Sequence, residues 1–74
     1  MTLTEAYLRE AQERIRAIRG FTRDRWDDVP VTLPAALFCL ERLTNSLPRE
    51  MTKTRESMLK FIENANISLE SEND

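Results

Sequence analysis

Few side chains in this sequence are able to do chemistry. It has no histidine, which removes the commonest general base and the commonest metal ligand. Cys39 is the only cysteine, so neither an internal disulfide nor a cysteine zinc site is available. It stands in AALFCLERL among apolar residues, where a buried, inert thiol is expected. The one adjacent carboxylate pair, Asp27 and Asp28, precedes Pro30 and reads as a solvated turn rather than an acid–base dyad. No glycine-rich phosphate loop is present, since Gly20 is the sole glycine. Asn66-Ile67-Ser68 matches a glycosylation sequon, but nothing else in the sequence points to secretion. No catalytic residue, metal ligand or cofactor site is predicted, and the expectation is a protein that is not an enzyme.

What remains is recognition chemistry. Nine of the eleven basic residues are arginine, the type favoured at interfaces through its planar fork of donors. FTRDRWDDVP, residues 21–30, sets Phe21 and Trp26, the only tryptophan, among Arg23 and Arg25. An aromatic side chain of this size buries on the order of 200 Å², worth up to about 5 kcal/mol at 25 cal/mol/Å². A core this small supplies only about 3–5 kcal/mol of net stability. Leaving both rings in water would therefore forfeit most of it, and they must be covered. Either the loop folds back as a lid on the helices, or Phe21, Trp26 and Phe38 pack against another chain with Arg23 and Arg25 on the rim. The two arrangements are compatible.

Three helices must position these residues. Thr2 followed by Glu5 has the form of a capping box and Gly20 a stop, bounding a helix over Leu3 to Arg19. Thr4, Tyr7, Leu8, Ala11, Ile15 and Ile18 share one arc of it. Thr32-Leu33-Pro34 and Ser46-Leu47-Pro48 both read as a hydroxyl cap with proline in the first turn. They predict a second helix over about 33–45 and a third over about 47–65. The second gathers Leu33, Ala36, Leu37, Leu40, Leu43 and Leu47, while Phe38 and Cys39 project elsewhere, so it is apolar on more than one side and takes the central place. The third collects Met51, Met58, Leu59, Phe61, Ile62 and Ala65. Residues 1–66 form one all-α domain, and 67–74 are expected to be an acidic, frayed tail.

Charge narrows the partner. Residues 63–74 hold four acids and no base, leaving eleven bases against nine acids before them. Arg9, Arg16, Arg19, Arg23 and Arg25, interleaved with Phe21 and Trp26, give an alternative reading as a small nucleic-acid-binding regulator. Residues 1–34 balance six bases with six acids, however, and phosphate recognition needs a concentrated positive field. A mixed, salt-bridged surface is the better account. No apolar run approaches the length of about 18 residues needed for a membrane span. MTLTEAYLRE lacks the charged-then-apolar order of a signal peptide. With one unpaired cysteine, a cytoplasmic setting follows. The sequence thus predicts a three-helix domain that forms a dimeric bundle and acts as an interaction module: an adaptor, regulator, inhibitor or chaperone of a larger partner.

Overall fold

A computed structural model describes residues 2–22 and 28–72. Three helices make up its regular structure: α1 (Leu3–Arg19), α2 (Leu33–Asn45) and α3 (Thr52–Glu72). The first two have the bounds their end signals predict. Thr2 is extended, and its hydroxyl accepts the Glu5 N–H at 3.1 Å. At the other end Gly20 is the cap but keeps right-handed angles, φ −66° and ψ −17°. The chain leaves α1 through tightened turns, Phe21 N–H to Ile18 O and Thr22 N–H to Arg19 O, rather than through a left-handed glycine.

α2 begins at the expected residue with different cap chemistry. Thr32 is extended and its carbonyl takes the Ala36 N–H at 2.9 Å, but its hydroxyl caps nothing. An N-cap oxygen looks for the N–H of the second or third helical residue. Here the second is Pro34, which has none. At the far end Thr44 is fully buried and satisfies its hydroxyl on the Leu40 carbonyl at 2.7 Å.

α3 differs from expectation at both ends. Ser46-Leu47-Pro48 does not start a helix. Leu47 is drawn into the core, Pro48 opens a turn closed by Met51 N–H to Pro48 O, and the helix starts at Thr52. The Arg55 guanidinium pins this connection by donating to the Leu47 carbonyl at 2.7 Å. The helix then runs on through Glu72, seven residues past the end predicted near 65. Residues 67–72, expected to fray, are helical, and Leu69 packs against the core.

α2 is the central element and packs most extensively on α1. The core joins Ala11, Ile15 and Ile18 of α1 with Leu33, Ala36, Leu37, Leu40 and Leu43 of α2, then Met58, Ile62 and Ala65 of α3. Cys39 is a buried free thiol at its edge, as its surroundings implied. Leu59, assigned above to the inner face of α3, is exposed instead. Away from α2, Arg14 straps α1 to α3. It lies 4.7 Å over the Phe61 ring, pairs with Glu10 at 3.2 Å and donates to Ser57 Oγ at 3.2 Å. Tyr7 meets the same ring at 5.7 Å between centroids.

Candidate interaction surface

The core claims one side of α2, yet the opposite side is not wholly polar. Phe38 is 73% exposed there, and Val31, just before the helix, is 79% exposed. A full helical face is open around the ring: Pro34, Ala35, Phe38, Glu41, Arg42 and Asn45, at the spacing that keeps residues in one stripe.

Beside Phe38 runs a groove of about 350 Å³, lined by Val29, Pro30, Ala35, Phe38 and Cys39 with Arg19, Asp28 and Arg42 around them. Its far wall is held by two side chains of α1. Gln12 Nε2 donates to the Pro30 carbonyl at 2.9 Å, and Arg19 Nη2 donates to the Asp28 carbonyl at 2.9 Å. These bonds answer backbone acceptors that a loop lying against a helix cannot satisfy by itself. They also turn Val29 inward, where it is half-buried against the core. A smaller hollow of about 210 Å³ is lined by Phe38, Glu41, Arg42 and Asn45. Phe38 thus borders two depressions.

The predicted contact residues divide three ways. Phe38 is at the centre of this face. Phe21 is 57% exposed at the end of α1 but does not line the groove, so among the described residues it is not the lid on the core. Val29 fills part of that role. Arg23, Arg25 and Trp26 lie outside the described residues. Gln12 was missed as a positioning residue, because its bond spans eighteen residues and no local pattern announces it.

Arg14 and Arg19 are half-buried and engaged in the contacts above, whereas Arg9 and Arg16 are exposed on α1. A second apolar depression, about 310 Å³, lies between Leu3, Ala6, Tyr7, Glu10 and Phe61. It has a single charge at its edge, and Glu10 already pairs with Arg14. Among the described residues no three His, Cys, Asp or Glu side chains come together as a metal-binding group would. Nor is any helix among them long and apolar enough to cross a membrane. The sequence matches no known family model, and comparison with curated proteins and with solved structures finds no significant match.

Proposed function

We propose that this protein is a non-enzymatic protein–protein interaction module, an adaptor, regulator, inhibitor or chaperone, that docks through the outer face of α2 and its flanking groove. The observation that carries this reading is Phe38, a large ring left mostly in water on the central helix, bordering two hollows. Covering such a ring is worth about 1.5–3 kcal/mol, which the isolated chain does not collect. Aromatic residues with arginine nearby are the types that dominate binding energy at interfaces. Arg19 and Arg42 supply that neighbour here, and Phe21, Arg23, Arg25 and Trp26 are kept as contact residues proposed on their types alone.

The test is affinity capture from the native cell with wild type, Phe38→Glu and Trp26→Ala side by side. Phe38→Glu changes an exposed side chain, so its helix content and melting temperature are expected to match wild type. The reading expects a specific partner, or a second copy, to be lost from that variant. Retention of every companion by the folded Phe38→Glu protein refutes the proposed surface.

A further inference from the structure

The open face of α2 has a charge pattern that bears on which partner fits it. At about 100° per residue, Phe38 and Asn45 lie within about 10° of its centre line, while Glu41 and Arg42 flank that line at about 50° on opposite sides. All four are exposed, and together they line the 210 Å³ hollow. Their spacing, i, i+3, i+4, i+7, is that of the four-residue hole into which a facing helix inserts a side chain.

A face with one acid on its left flank and one base on its right is complementary to itself under only one kind of twofold. An axis parallel to the helix brings the left flank of one copy against the right flank of the other, so Glu41 meets Arg42 twice. An axis perpendicular to the helix brings left against left and sets Glu41 near its own counterpart. In the parallel arrangement the side chain entering each hollow is the second copy's Glu41, and Arg42, already in the wall of the hollow, is its counter-ion. Phe38 of the two copies meet near the axis. Arg42 also takes part in an interaction within its own chain. Five guanidinium donors accommodate both.

We infer that the occupant of this face is a second copy of the chain, paired parallel along α2 through Phe38 against Phe38 and two reciprocal Glu41–Arg42 contacts. The inference rests on the docking face proposed above and adds the partner and its orientation.

Its test is reciprocal charge reversal, read as molar mass by sedimentation equilibrium from about 1 μM to about 1 mM, the range in which modest interfaces associate. Glu41→Arg alone sets arginine against arginine at both contacts, and Arg42→Glu alone sets acid against acid. Each is expected to raise the dimer dissociation constant by at least about tenfold. The double swap Glu41→Arg/Arg42→Glu restores opposite charges and dimerises. An equimolar mixture of the two single variants also dimerises, because each supplies what the other lost. Both sites are exposed, so helix content by circular dichroism should be unchanged, and Glu41→Lys with Arg42→Asp repeats the test with different side chains. A mixture that stays monomeric, or single variants that dimerise like wild type, overturns the inference. Wild type monomeric at about 1 mM excludes the second copy, while the Phe38→Glu capture still decides the docking face. A dimer that forms equally well in wild type, in Phe38→Glu and in every charge variant uses another face and overturns the inference, and the capture experiment again decides the docking face.

Discussion

Phe38 and Leu40 stand two residues apart on α2, with opposite fates. Leu40 is fully buried in the core, and Phe38 is mostly in water. Truncating each to alanine separates what holds the fold from what lies outside it. Leu40→Ala removes three buried carbons and leaves a cavity in the core cluster; such changes cost about 2–5 kcal/mol. A core this small supplies only about 3–5 kcal/mol of net stability in total. At about 4–8 °C per kcal/mol, the melting temperature should fall by roughly 10 °C or more, and at the upper end the chain unfolds at room temperature. Phe38→Ala gives up only the buried quarter of one ring, about 1 kcal/mol, and gains a few tenths from alanine's helix propensity. Its net cost is below about 1 kcal/mol. The assay is urea unfolding followed by circular dichroism at low micromolar protein, so that self-association adds nothing to apparent stability. If Phe38→Ala destabilises the dilute chain as much as Leu40→Ala does, the ring belongs to the fold and the proposed surface has lost its anchor.

Gly20→Ala is expected to stabilise the protein by about 0.4–1 kcal/mol in the same unfolding assay, because its φ is ordinary and an added methyl meets nothing within 4 Å. A loss of stability would mean that the glycine has a conformational role its angles do not show. Thr2→Ala should cost about 1 kcal/mol through the lost cap on Glu5, while Thr32→Ala, which loses no cap bond, should cost clearly less; equal costs would contradict the difference between the two helix starts. Titration with DNA and RNA at low salt should detect no binding; an affinity that falls steeply with added salt would replace the protein-docking account with the nucleic-acid one.

α1 and α2 were legible because each boundary had its own chemical mark: a threonine before the first turn, then Gly20 after one helix or Pro34 inside the other. α3 was not, because the same mark misled. Pro48 suits a first helical turn by itself, but Leu47 beside it is needed in the core. The chain bends to deliver that leucine, spends residues 48–51 on a turn, and starts the helix at Thr52. The far end was hidden by composition. Asn66, Ser68 and Ser71 are weak helix formers, yet no glycine or proline follows Ala65, and Leu69 still finds apolar contact, so the helix continues. The candidate surface was half legible. Phe38 and Cys39 both stood outside the inner stripe of α2, and of the two only Phe38 is left in water while Cys39 joins the edge of the core. Its groove was invisible, since the wall at Val29 and Pro30 exists only where Gln12 and Arg19 reach across to the loop carbonyls.

An exposed ring by itself is a weak signal, since isolated surface apolar residues are ordinary on folded proteins. The magnitudes say what else the surface must do. Covering Phe38 yields about 1.5–3 kcal/mol, whereas a micromolar complex needs about 8 kcal/mol after the costs of association are met. One ring cannot supply that. A standard interface takes about 800 Å² from each partner, roughly a seventh of the 5361 Å² surface of this chain. The exposed stripe of α2 from Pro34 to Asn45 and the groove walled by Val29 and Pro30 are the neighbouring surface that can contribute to that area. On the proposed surface Phe38 is the anchor of a wider contact, and its truncation should weaken association by about ten- to a hundredfold rather than abolish it. Gln12 and Arg19, distant in sequence from the ring, hold the loop carbonyls against α1 and so keep apolar area next to Phe38 in place; for the proposed surface this is preorganisation, and a preformed surface loses less entropy on binding.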